Sequence, residues 1–405
     1  MTVVRSGNTS LIVPYTFFTL LSTAADFTFG AVFVMIMLDR GAEPWLLGLM
    51  FGSANLVTLL VEAPSGALGD RYGHRRLLTL GLALWGAGFV LFGTADRLAL
   101  VLAGMYLWAT GLSLHSGTLT ALVVNRIGTD ARAARISRVV RIGQVAGHGG
   151  GVTGAVSVMV FGTWASAGTL VAAGGGALVC LAVLAPLCFP RSPRQPDRRV
   201  GRIVAESAAL LATRRFLPLV ALTVSLVSST VLLVAAWQPL LREAHGGDVR
   251  LNGLVLLALT SALAAGAACA RFVDRGQRPH VWAPLVAALS GVPLVLVAHG
   301  LVPLVPGLIA AEFLLGLGGV LSNVWQQLMF TDANRNTMFS MLAMVAGMVR
   351  TVILVPFGGL WDLVGLAWAA TVLVAVSVVA AVATGVLTRL LPESTRFTGA
   401  SERKL

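Results

Sequence analysis

Residues Gly66 to Arg76 read GALGDRYGHRR, a basic, glycine-bearing stretch set between two apolar runs that are each long enough to cross a bilayer. It must face water while its neighbours face lipid, because hydrocarbon offers an arginine no partner. A diluted copy, ARFVDRGQR at Ala270 to Arg278, puts Asp274-Arg275 204 positions after Asp70-Arg71, about half of the 405-residue chain. That spacing predicts two similar halves.

Composition points the same way. Only 11% of residues are charged and 57% are hydrophobic, against about 25% charged in soluble domains; with a mean hydropathy of +0.86 the chain belongs in a membrane. A net charge of +12 would suggest nucleic acid in a soluble protein, but the basic residues fall at intervals between apolar runs, so they are read as topology and no nucleic-acid partner is expected. Cys180, Cys188 and Cys269 lie in apolar runs without metal-like spacing and are read as small hydrophobic filler, with no metal or other cofactor implied. The 45 glycines suit helices that must approach closely in lipid.

A helix needs about 20 apolar residues to cross about 30 Å of hydrocarbon. Twelve such runs are expected, near 12–37, 44–69, 77–94, 98–124, 137–161, 166–188, 216–240, 251–272, 281–299, 303–328, 337–360 and 364–389. They lack the period-two alternation of barrel strands, so the fold class is an all-α membrane protein. The loops placed outside hold only Arg40, Arg97, Arg242 and Arg250 of the 29 basic residues, which puts both termini in the cytoplasm. The Pro- and Arg-rich stretch 190–215 divides a first six-helix bundle, 1–189, from a second, 216–391, and 392–405 forms a polar tail.

The first stretch resembles the loop signature of the major facilitator superfamily, G-x-x-x-D-R-x-G-R-[RK], through Gly66, Asp70, Arg71, Gly73, Arg75 and Arg76, with His74 where that family usually has its first basic residue. With Asp274 and Arg275 as its echo, the resemblance implies two pseudo-symmetric bundles and a conformational latch on the inner rim; ordinary inside-loop charge is the competing reading. In the fifth span Gly143, Gly147 and Gly151 resemble a glycine signature of drug:proton antiporters, although His148 replaces its proline and Val152 its last glycine. Helix packing alone would also produce that pattern.

Ionisable side chains near mid-membrane are functional candidates by default. Asp26 lies in the first span, Glu62 in the second, Glu312 in the tenth and Arg350 in the eleventh, with His115 and His148 in the fourth and fifth. The resemblance implies that spans 1, 4, 7 and 10 line a cavity with 2, 5, 8 and 11 beside them, which places all six on the cavity set. Asp26, with Glu62 second, is the expected proton carrier. Each histidine is either a proton site or a neutral packing residue, and Arg350 either a counter-ion to a buried acid or an anchor for an anionic substrate. Trp237, Gln238, Asn323 and Gln326 supply the aromatic and amide groups of a pocket or of an interfacial belt.

These features together predict a monomeric secondary transporter of the cell membrane, coupled to protons and exporting a small lipophilic organic compound; uptake of a sugar or organic anion is the alternative. An enzyme is not expected, since neither H-E-x-x-H nor G-x-S-x-G occurs, and no G-x-x-x-x-G-K-[ST] loop is present to cradle ATP.

Overall fold

A backbone in hydrocarbon must satisfy its own N–H and C=O groups, and this chain does so with helices. The computed structural model describes residues 9–124, 132–190, 213–273, 278–330 and 335–391. In chain order the helices are α1 (Thr9–Asp39), α2 (Pro44–Tyr72), α3 (His74–Thr94), α4 (Leu98–His115), α5 (Thr118–Val124), α6 (Arg132–Phe161), α7 (Ala167–Cys188), α8 (Leu217–His245), α9 (Val249–Val273), α10 (Pro279–Ser290), α11 (Val292–Ala298), α12 (Leu304–Met329), α13 (Arg335–Val364) and α14 (Leu366–Leu390). No strand occurs among the described residues, where 11 helical stretches are long and apolar enough to cross a membrane. The fifth expected span, α6, is a 30-residue helix, but Arg138, Arg141, Gln144 and His148 leave it more polar than those 11.

Helix boundaries differ from the sequence expectation at three places. The Gly66–Arg76 stretch is mostly helix rather than loop: α2 runs on to Tyr72 and only Gly73 interrupts it. Gly73 has φ 93°, which a side chain would oppose, and its N–H donates to the Gly69 carbonyl at 2.9 Å. Arg75 and Arg76 therefore open the first turn of α3. The fourth span is broken at Ser116–Gly117, where Gly117 takes φ 72°, and the ninth is broken at Gly291 between α10 and α11. Long apolar runs lie on either side of each break, so hydropathy averaged over a span does not register them.

The chain divides into two units. The first comprises Met1–Ala42, Ala54–Arg198 and Gly247–Leu257. At its centre α3 packs against α7 on one face and α4 on another, and glycines cut both contacts. Toward α7, an added Cβ on Gly86 would lie 2.6 Å from the Gly175 carbonyl oxygen, and Gly93 meets Gly168 in the same way. Toward α4, Gly88 faces the Gly104 carbonyl at 2.7 Å and Gly111 faces the Gly81 carbonyl at 2.5 Å. Each pair is one heptad from the next, running forward in α3 and backward in its partner, which is the register of antiparallel helices in backbone contact. Helix α6 meets α1 through Gly150 and Gly154, against the carbonyls of Leu20 and Ala24. The start of α9 joins this unit through Gly253, which abuts Ala155 and Met159, and through the buried Asn252, whose Nδ2 donates to the Ala31 carbonyl at 2.8 Å.

The second unit comprises Glu43–Ser53, Arg199–Gly246 and Ala258–Leu405. Its core gathers Phe216, Leu219, Leu321, Trp325, Met329 and Met338. A serine knot ties α8 to α14: Ser377 Oγ lies 3.0 Å from Ser225 Oγ and 3.2 Å from Ser229 Oγ, and donates to the Ser225 carbonyl at 2.9 Å. The first turns of α2 pack here on α13, where Gly48 and Gly358 bring the two backbones together. Most of the 190–215 linker, the 392–405 tail, Asp274 and Arg275 lie outside the described residues, and Gly66 and Asp70 are described only as backbone of α2.

Candidate functional site

Within the first unit, Asp26 sits mid-way along α1 on the same helix face as Phe29 and Phe33. Its carboxyl lies beside the Trp108 indole of α4, without a well-formed hydrogen bond between them. From there an aromatic column runs through the unit. Phe29 contacts Trp108 at 4.8 Å between ring centroids and stacks on Phe89 of α3 at 4.5 Å. Phe89 meets Trp85 edge-on at 6.0 Å, and Trp85 meets His115 at 5.3 Å. Trp108 and His115 are one heptad apart and so share a face of α4.

Four buried polar atoms in this column have no hydrogen-bond partner: Asp26 Oδ1, Trp108 Nε1, Trp85 Nε1 and His115 Nε2. Leaving one such atom unsatisfied costs about 1–3 kcal/mol. Groups of this kind are ordinarily met by water or a ligand, and they differ in kind: the indoles only donate, whereas carboxylate and imidazole can each take up a proton.

The remaining expected site residues are spread over both units. His148 and Glu62 are exposed, and the Glu62 main-chain carbonyl accepts from Ser65 Oγ at 2.8 Å. Of the signature glycines on α6, Gly143 lies against Tyr15 and Gly151 against Phe27, whereas a Cβ added at Gly147 would meet nothing within 4 Å. In the second unit Trp237 and Gln238 are buried in α8 beside Pro239. Glu312 on α12 has a buried, unpartnered Oε2. Further along α12, Asn323 is exposed, Gln326 Nε2 donates to Ser322 Oγ at 3.0 Å, and Trp325 is a core residue. Arg350 on α13 is exposed. No group of three His, Cys, Asp or Glu side chains able to hold a metal ion occurs among the described residues.

The basic residues show a second pattern. Arg75 donates through Nη1 to the Pro186 and Phe189 carbonyls at 3.2 and 3.3 Å, at the C-terminus of α7. Arg215 donates to the Met329 carbonyl at 3.2 Å, at the C-terminus of α12. Arg40 donates to the Phe92 and Gly93 carbonyls at the C-terminus of α3, the latter at 3.0 Å. Burial pulls the Arg40 guanidinium below its ordinary range, against the opposing pull of Asp96 and Asp39. In each case a cation meets the partial negative charge and unpaired carbonyls of a helix end. Arg71 lies over the Tyr72 ring at 5.4 Å, and Arg76 is exposed. Trp85 and the clamps made by Arg40 and Arg215 were not expected as functional or structural centres, whereas Arg75 was expected in the latch rather than on the end of α7. Only the spacing of Trp85 beside the heptad glycines of α3 hinted at a contact position.

Comparison with known proteins follows from this architecture. The family model described as Major Facilitator Superfamily matches residues 15–338. Among solved structures, the nucleoside transporter NupG is similar with a TM-score of 0.77 at 11% identity, over 94% of this chain and 100% of that one. A POT family transporter solved with a thioalcohol-conjugated peptide gives 0.72 at 13%, over 93% and 96%. A bacterial homolog of the human lysosomal transporter Spinster, in an inward-facing, unoccupied conformation, gives 0.69 at 15%, over 95% of both chains. No curated protein sequence matches the chain. These likenesses are of fold, and with a family match over most of the sequence they lead to one conclusion: the chain is a multi-pass membrane transporter, not an enzyme, and belongs to the major facilitator superfamily.

Proposed function

We propose that the protein is a proton-coupled secondary transporter of the cell membrane, working as a monomer and exporting a lipophilic organic compound. A six-helix bundle at 1–189 and another at 216–391 alternate in access to the two sides, with the Gly66–Arg76 stretch and its Asp274-Arg275 echo as the latch. Asp26 is the proton carrier. The observation that carries this reading is its buried, unpartnered carboxyl oxygen in the middle of a membrane helix, with no cation beside it among the described residues. Such a group is costly to hold as an anion, so it takes up and gives back a proton as its surroundings change. Glu312, whose Oε2 is likewise buried without a partner, is a second carboxyl able to load a proton or meet a cationic substrate.

Arg350, a cationic residue in a membrane helix, favours a second reading, uptake of a sugar or an organic anion. Transporters of similar fold include ones named for nucleosides and for peptides, so the architecture accommodates polar cargo. A panel of toxic compounds tested on cells with and without the protein separates the two readings. Export predicts protection that disappears when the proton gradient is collapsed. Protection that survives collapse contradicts proton coupling, and sensitisation in place of protection favours uptake.

A further inference from the structure

The break in the fourth span lies next to His115. Helix α4 ends there, Ser116 N–H donates to the Leu112 carbonyl at 2.8 Å, Thr118 Oγ1 donates to the Leu114 carbonyl at 2.7 Å, and Ser116 and Gly117 between them are exposed. Non-helical backbone at membrane depth persists only where protein buries it or water reaches it. These two residues are exposed rather than buried by protein, so the same rule calls for water at the break. The break is thus a wet point at one end of the aromatic column, and Asp26 stands about two helical turns further along it, beside Trp108.

Between those ends lie two indole N–H groups that only donate and two groups that accept, all buried and none satisfied by protein. Buried water needs two to four polar partners, and this column offers a matched set. No other ionisable side chain among the described residues makes an electrostatic contact with Asp26 or His115. On the elements packed against them, the ionisable side chains among the described residues are His74, Arg75 and Arg76 at the start of α3, Arg138, Arg141 and His148 on α6, and the thiols of Cys180 and Cys188 on α7.

We propose that the column is the path by which Asp26 exchanges its proton with solvent, and that His115 is a second proton-holding residue at its entrance. In the loading direction, imidazolium Nε2–H releases its proton to intervening water and the last water in the line protonates Asp26 Oδ1. Imidazole and carboxyl both end neutral. The Trp85 and Trp108 N–H groups hold the water in line by donating hydrogen bonds and keep their own protons. The path rests on the reading of Asp26 as the proton carrier but can fail without it.

The test needs no substrate, only heavy water. Infrared spectroscopy of the protein in lipid vesicles follows the carbonyl band of the protonated Asp26 carboxyl, identified by its loss in Asp26→Asn, and times its shift after transfer to heavy water. The path predicts roughly tenfold slower exchange in His115→Asn and in Trp85→Phe, each with a melting temperature near wild type. Should His115→Asn fail to fold, Trp85→Phe carries the test, since phenylalanine keeps the ring packing and removes only the N–H. Wild-type exchange in the folded variants overturns the path and leaves Asp26 as carrier. Absence of any band assignable to Asp26 across the pH range overturns the carrier reading itself.

Discussion

Substituting Gly111 by alanine tests the packing that holds the first unit together. A Cβ at that position would collide with the Trp85 amide nitrogen and lie 2.5 Å from the Gly81 carbonyl oxygen, both of them backbone. Neither can rotate away, so α3 and α4 must separate by about 1 Å to reach ordinary van der Waals contact. Overpacking of this kind costs about 1–3 kcal/mol, and alanine returns at most about 1 kcal/mol through its better helix propensity. Gly147→Ala is the matched control. It lies inside α6 with nothing within 4 Å of its added Cβ, so only the propensity gain applies and the variant should be as stable as wild type or slightly more so. Thermal unfolding of detergent-solubilised protein, followed by the loss of monodisperse material, would report both. Gly111→Ala melting with wild type, or Gly147→Ala falling as far as Gly111→Ala, would refute the claim that backbone contact sets where glycine is required.

Three other outcomes follow from single contacts. Arg75→Ala should lower stability by about 1 kcal/mol, the worth of a partly exposed cation on helix-end carbonyls, and Arg75→Lys should recover only part of it; equal melting temperatures for all three would mean the clamp contributes nothing. Ser377→Ala should cost about 1–2 kcal/mol, because it leaves the buried Ser225 and Ser229 hydroxyls short of a partner, and a neutral result would show that both re-bond to their own helix. Asn252→Ala should cost about 1 kcal/mol by the same measurement, whereas no change would show that the Ala31 carbonyl needs nothing beyond its helix bond.

What could be read from the chain beforehand was whatever hydropathy and charge encode over a turn or more of helix. The apolar runs, their all-helical nature and the family likeness at Gly66–Arg76 belong to that class. Finer features did not, and the reasons are local. Ser116–Gly117 breaks a helix within the short polar cluster His115–Thr118, which the longer apolar runs on either side outweigh over the length of a span. Gly73 alone ends α2, whereas the six polar residues around it look like a loop. The glycines of α6 drew notice through a signature, yet the closest backbone contacts in the first unit are on α3, where heptad pairs face two different neighbours. Asn323 and Gln326 read in sequence as amides of a pocket, but the burial of Trp325 between them in the second unit's core depends on contacts from α8 and α13 that no local stretch contains. Trp85 and His115 meet across two helices for the same reason.

Proton flux through Asp26 is the point on which the functional account turns. With purified protein in vesicles carrying a trapped pH indicator, adding a compound from which the protein protects cells should move protons across the membrane in the wild type, and Asp26→Asn should abolish that movement while still binding the compound. Undiminished proton movement in a folded Asp26→Asn variant would contradict the account.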